Sequence, residues 1–160
     1  MGRLAIFLFA VAAVAWISGQ GVSVARAGAE DWNDAKIQWR SYEEGLKEAK
    51  KTGKPVCLIF YTTWCPHCAN YARVFQDPGL VEQAKNLVMV RIDADKRRDL
   101  SEQYKPDGAY VPRTFFLSPA GELDLSIDAG RSQYKFFYDE HNAAHVAKAM
   151  QAAVEKYRRK

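Results

Sequence analysis

The sequence has no second Cys-x-x-Cys pair, no internal repeat, no low-complexity tract, no interdomain linker and, beyond residue 17, no long apolar run. Each absence removes a class. Cys65, His67 and Cys68 are all ligand types, but they fall short of the four that structural zinc usually takes, so a metal site is not expected. Without repeats or linkers, 160 residues make one domain with a sizeable core. A strong charge excess is also missing: the formal charge is +4, and two basic residues, Arg3 and Arg26, lie in a segment read below as removed, leaving 21 basic against 19 acidic side chains. Nucleic acid is therefore not an expected partner. What remains, 48% apolar, 26% charged and 12% aromatic, is the balance of a folded domain.

The long apolar run opens the chain. Arg3 precedes Leu4 to Ile17, and Ser18-Gly19-Gln20-Gly21 leads to small residues at Ala25 and Ala27. Residues 1–27 thus read as a secretory signal cleaved after Ala27. An uncleaved anchor is the second reading, but a run of about 14 residues is short of the ~20 that span a bilayer core. The mature chain, 28–160, is expected to have no membrane span and to work in a periplasmic or extracellular, oxidising compartment that permits disulfide chemistry. The basic end, Lys156, Arg158, Arg159 and Lys160, suits a helix C-terminus and is not a Lys-Asp-Glu-Leu retrieval signal.

Spacing predicts the elements. Ala35, Trp39, Tyr42, Leu46 and Ala49 form one helical stripe over residues 34–51, stopped by Gly53 and Pro55. Pro55 to Thr62 is an unbroken apolar and β-branched run, as a strand covered on both faces requires. Helical spacing resumes through Ala69, Ala72 and Phe75, and Asp77 is placed to cap a short helix starting at Pro78. Leu87 to Ile92 is a second strand, the polar run 93–103 a short exposed helix and loop, and Arg113 to Leu117 a third strand. Ser118-Pro119-Ala120-Gly121 then signals a turn, and the alternation Leu123, Leu125, Ile127 predicts an antiparallel hairpin. A terminal helix carries Ala143, Val146, Met150, Ala153 and Tyr157 on one stripe. The fold class is α/β, a mixed sheet of about four strands flanked by helices.

Trp64-Cys65-Pro66-His67-Cys68 falls where strand becomes helix. Cysteines three apart at a helix start can close a small reversible disulfide. The first lies where unpaired amides and the helix dipole favour negative charge, and His67 can add positive charge or a hydrogen bond. Cys65 is then the attacking thiolate and Cys68 the thiol that resolves a mixed disulfide with a client. Pro66 opens the helix without wasting an amide proton. A purely structural disulfide is the alternative. No bound cofactor is called for beyond the redox-active Cys65–Cys68 pair.

Taken with Tyr110-Val111-Pro112-Arg113-Thr114-Phe115 some 45 residues later, this motif resembles the thioredoxin superfamily, and the order of elements agrees across nearly all of residues 28–160. Within it, the chain is similar to small secretory-pathway members, the anterior gradient family and its redox-active endoplasmic reticulum relative. The likeness rests on Trp39 to Leu46, Ser101 to Phe116 and Ala129 to Ser132. The resemblance implies a nucleophile at Cys65, a resolving cysteine at Cys68, and a cis-proline at Pro112 that faces the disulfide and lets the backbone at Val111 pair with a client peptide. Cys-Pro-His-Cys is also the tetrapeptide of DsbA-like oxidases, which donate disulfides outward, although their large helical insertion has no room here. Anterior gradient proteins often lack the second cysteine; this chain keeps both. One departure concerns proton transfer. Many thioredoxins carry a buried acid six residues before the first cysteine, where this chain has Ile59, which leaves water or another group, with His67, Asp93 and Glu122 as candidates, to accept the proton.

The expected partners are exported client proteins with thiols or disulfides, and a redox partner protein. Oxidation or isomerisation is the favoured direction; reduction of selected clients and a client-binding module without turnover are the alternatives. Trp64 is expected to pack beside the active pair. Cys57, inside the first strand's apolar run, reads as a buried inert thiol rather than a regulatory or dimer-forming one. Tyr134, Phe136, Phe137 and Tyr138 read as packing rather than a client groove, and His141 and His145, four apart on a predicted helix, as a solvated face rather than a metal pair.

Overall fold

Val56–Tyr61, here β2, is buried along nearly its whole length, because its alternate residues serve two different layers. Cys57 and Ile59 point into one apolar cluster and Val56, Leu58 and Phe60 into another on the opposite face. In this computed structural model, which describes residues 31–158, the sheet order is β1-β3-β2-β4: Trp39–Arg40 (β1), Val88–Asp93 (β3), β2 and Arg113–Leu117 (β4). β1 and β3 run parallel and β2 parallel to β3, while β4 is antiparallel to β2 with Ile59 opposite Thr114 and Phe60 opposite Arg113. Mixed pairing puts the C-terminal ends of β2 and β3 beside the start of β4.

Helices cover both faces. Tyr42–Thr52 (α1) and Arg98–Gln103 (α4) lie over the Leu58 side, contributing Ala49 and Leu100; Pro66–Val74 (α2), Pro78–Ala84 (α3) and Ala143–Tyr157 (α5) lie over the Ile59 side. α1 starts at a reciprocal capping box between Ser41 and Glu44 and ends at Gly53 with φ 73°. Gly45 lets α1 approach β3: a Cβ there would lie 2.3 Å from Val90 Cγ2. α3 begins at Pro78 under the Asp77 cap, as its sequence predicts. No helix of the described residues is long and apolar enough to cross a membrane. The predicted signal, residues 1–27, lies outside the described residues, as do Arg159 and Lys160.

Two expectations are corrected. The helical stripe assigned to residues 34–51 begins only at Tyr42: Trp39 belongs to a two-residue strand, its ring against Trp32 and Phe75 with the Arg91 guanidinium 5.2 Å over it. Four-three spacing imitated a helix where tertiary pairing decides. The hairpin after Gly121 stops at one bridge, Leu117 to Leu123. Asp124 turns the chain, its carboxylate accepting from Ser126 N at 3.1 Å and from Tyr157 Oη at 2.8 Å, so Leu125 is exposed and no strand extends to Ile127. The fourth strand is β1 instead.

Candidate functional site

The end of β2 delivers the chain to Cys65, which is the N-cap of α2, with Pro66 as the first helical residue. Cys65 is extended (φ −83°, ψ 113°), so its side chain folds back over the helix start and Sγ accepts the Cys68 amide at 3.2 Å. The same sulfur lies 3.7 Å from the carbonyl oxygen of Val111, toward which its S–H donates. The Val111–Pro112 peptide is cis. Cys65 is 4% exposed and Cys68 fully buried one turn along. Four predicted site residues, Cys65, Cys68, Val111 and Pro112, are thus brought to one place from segments 46 positions apart.

Trp64 does not pack into the protein: it is 70% exposed, with Nε1 donating to Asp95 Oδ2 at 2.7 Å. His67 is also exposed, and its Nδ1 is engaged by Glu140 at 2.8 Å, with the ring edge-on to Phe137 at 5.8 Å between centroids.

Ile59, six residues before Cys65 in the chain, is fully buried opposite Thr114. The Thr114 hydroxyl lies 2.9 Å from that of Tyr71, and burial pushes the Tyr71 phenol well up. Glu122 follows the far end of β4, where Leu117 pairs with Val56, so it stands at the pole opposite Cys65. Asp93 ends β3 at the correct pole, opposite Tyr61, but its carboxylate is occupied by the Asp95 amide and Lys96. Cys57 is fully buried between Met89 and Phe116 in the sheet, and burial pushes its thiol well above the usual range.

The two other histidines separate. His141 precedes the Asn142 cap and is not helical; His145, inside α5, is not on a solvated face. Its Nδ1 accepts from Asp139 N at 3.0 Å and Nε2 donates to Ala129 O at 3.1 Å. Among the described residues no group of three His, Cys, Asp or Glu side chains is placed to hold a metal. The aromatic run divides too: Phe136 and Tyr138 are core, Tyr134 is exposed.

Three contributors escape sequence reasoning. Asp95 and Glu140 anchor Trp64 and His67 from 31 and 73 positions away. Arg113, directly after the cis peptide, is fully buried with its guanidinium 5.1 Å over Phe60, donating to Gly108 O at 3.0 Å and Ser101 Oγ at 2.8 Å. It ties the 104–112 loop to α4, and burial pulls its pKa below the ordinary guanidinium value. An arginine beside a proline in an apolar strand was the available signal for it.

The profile of a family described as thioredoxin-like matches residues 38–119, which include the dithiol and the cis-proline. The chain belongs to that family. Human anterior gradient protein 2 homolog is 30% identical over 128 residues, covering 78% of this chain and 70% of that protein. The Xenopus laevis anterior gradient protein 2-B is 26% identical over 125 residues, 77% of this chain and 74% of that one. Among solved structures, a thioredoxin from Thermus thermophilus superposes with a TM-score of 0.61 at 24% identity, over 77% of this chain and 91% of its own. A DsbH oxidoreductase superposes with 0.56 at 26% identity, over 86% and 95%. In thioredoxin-like terms, the chain is a thiol–disulfide oxidoreductase by family, with its dithiol at the start of α2.

Proposed function

We propose that this thioredoxin-like protein is exported and exchanges disulfides with client proteins, with Cys65 attacking and Cys68 resolving, in the oxidising or isomerising direction. The observation that carries the reading is the position of Cys65 Sγ, between the Cys68 amide and the cis Val111–Pro112 backbone. The amide stabilises negative charge as the sulfur attacks or leaves. Val111 offers main-chain groups to an extended client strand, as a sheet edge does, and the exposed Trp64 supplies apolar contact. Cys68, deeper by one turn, meets the mixed disulfide from inside. Export rests on the signal-like residues 1–27, and a DsbH oxidoreductase among the neighbours agrees with disulfide exchange.

Glutathione equilibration of the Cys65–Cys68 pair tests the reading. A potential of about −120 to −180 mV supports oxidase or isomerase action, and one near −270 mV moves the assignment to a reductase. Failure to form the internal disulfide overturns the enzymatic reading in favour of client binding without turnover. Cys65→Ala separates these further: an enzyme loses dithiol exchange, a binding module keeps client affinity.

A further inference from the structure

Arg113 opens β4 directly after the cis-proline, and its side chain turns back over the segment that precedes it. Nη1 donates to the carbonyl of Gly108 at 3.0 Å, so residues 108–113, which carry Tyr110, Val111 and Pro112, are closed into a ring by a hydrogen bond. Nη2 donates to Ser101 Oγ at 2.8 Å and to Ser101 O at 3.3 Å, on α4. The guanidinium lies 5.1 Å over Phe60, and the residue is fully buried. One planar group therefore fixes the loop to a helix and to the sheet at once. Gly108 suits its end of the ring, with φ 132°, where a side chain would be strained.

The arrangement is not one that favours stability. Nε is buried without a hydrogen-bond partner among the described residues, and among them no carboxylate forms an ion pair with the guanidinium; the charges of Asp107 and Glu102 act on it only at a distance. A buried cation held by neutral dipoles costs free energy that an apolar side chain of similar volume would not. What it supplies is geometry: a rigid fork of N–H donors reaches acceptors in two directions, which an ammonium on a flexible stem does not reproduce. The rest of the loop is braced from the other side. The Asp107 carboxylate accepts from Tyr110 Oη at 2.9 Å and from Lys135 N at 2.6 Å, and Tyr110 Oη accepts from Phe136 N at 3.0 Å. Between these braces stands Val111, whose carbonyl lies 3.7 Å from Cys65 Sγ. A loop held in this way presents its main chain in one conformation, so little ordering is left to the moment of binding.

We propose that Arg113 is a positioning residue for the client site: by closing residues 108–113 on themselves and anchoring them to Ser101, it presets the Val111 main chain for pairing with an extended peptide beside Cys65. Its guanidinium lies on the Phe60 face of the sheet, whereas Cys65 and Cys68 belong to the opposite cluster, so it acts on recognition and not on the exchange of bonds. The proposal rests on the exchange reading above.

The test separates recognition from chemistry in the mature protein. Two substrates are compared: a dithiol peptide, oxidised in steady state with glutathione disulfide as terminal oxidant, and the small aromatic disulfide dithiobis(nitrobenzoate), which reacts with the reduced protein and has no backbone to pair. Arg113→Lys is expected to raise KM for the peptide about tenfold, to leave kcat within about twofold, and to leave the aromatic disulfide rate unchanged. Ser101→Ala, which removes one acceptor of the fork on α4, is expected to raise KM about threefold, and to raise it no further once Arg113→Lys is present. A kcat that falls at unchanged KM, with the aromatic disulfide slowed in step, marks a merely structural role and overturns the proposal. If Arg113→Lys fails to fold, Ser101→Ala decides, and an unchanged KM there overturns it too. A wild type that does not oxidise the peptide overturns the brace together with the reading beneath it; an active wild type whose KM is indifferent to both substitutions overturns the brace alone.

Discussion

The hydroxyls of Tyr71 and Thr114 meet at 2.9 Å inside the protein, joining α2 one turn beyond Cys68 to β4 two residues beyond the cis-proline. Both side chains are fully buried, so neither has water to fall back on. Tyr71→Phe leaves Thr114 Oγ1 unsatisfied and is expected to cost about 1–3 kcal/mol in urea denaturation; Tyr71→Phe/Thr114→Val should cost less than the two single changes summed. Additive losses would show that the pair contributes no coupling.

Gly45 marks a close approach of α1 to the sheet. Gly45→Ala puts a methyl 2.3 Å from Val90 Cγ2, in a layer packed tightly around Val88, Val90 and Leu58. Helix propensity favours alanine by roughly 1 kcal/mol, but overpacking at this distance costs about 1–3 kcal/mol, and the clash should win. Thermal melts are expected to show a lowered Tm for Gly45→Ala, relieved when Val90→Ala is added.

These two contacts show what the sequence makes legible and what it does not. β2 and the start of α2 can be read directly, because an unbroken apolar run and a Pro at a helix start are local signals. Trp39 deceives because β1 exists only through pairing with Met89 and Val90, and Leu125 deceives because Asp124 is claimed by Tyr157, 33 positions on. The pair Cys65 and Cys68 is visible as a motif. Glu140 and Asp95 are not, since nothing around either residue records which distant ring it holds.

Asp124 predicts a pH dependence. Burial of its carboxylate would raise the pKa, but Lys156, Ser126 and Tyr157 all bond to it and take it well below the ordinary value. A depressed folded-state pKa contributes stability that is complete above the unfolded value, about 3.9, and is lost as pH falls through the folded one. Asp124→Asn is therefore expected to lower stability at pH 7 by about 1–3 kcal/mol and much less near pH 2. Urea midpoints for both proteins between pH 7 and pH 2 should converge on acidification; parallel curves would remove Asp124 from the acid response.

Ile59 offers a test of proton handling at Cys68. Ile59→Glu places a carboxyl in the strand position opposite Thr114 and at the level of the Tyr71 hydroxyl, both of which can donate to it. Burying that charge is expected to destabilise the fold by roughly 3 kcal/mol, so denaturation midpoints should fall. The acid gives the second thiol a proton acceptor, and release of a trapped mixed disulfide between Cys65 and a client peptide is expected to accelerate on the order of tenfold. Stopped-flow trapping with wild type and Ile59→Glu compares the two directly. If release is unchanged in a folded variant, resolution by Cys68 is not limited by proton transfer, and Ile59 is a packing residue alone.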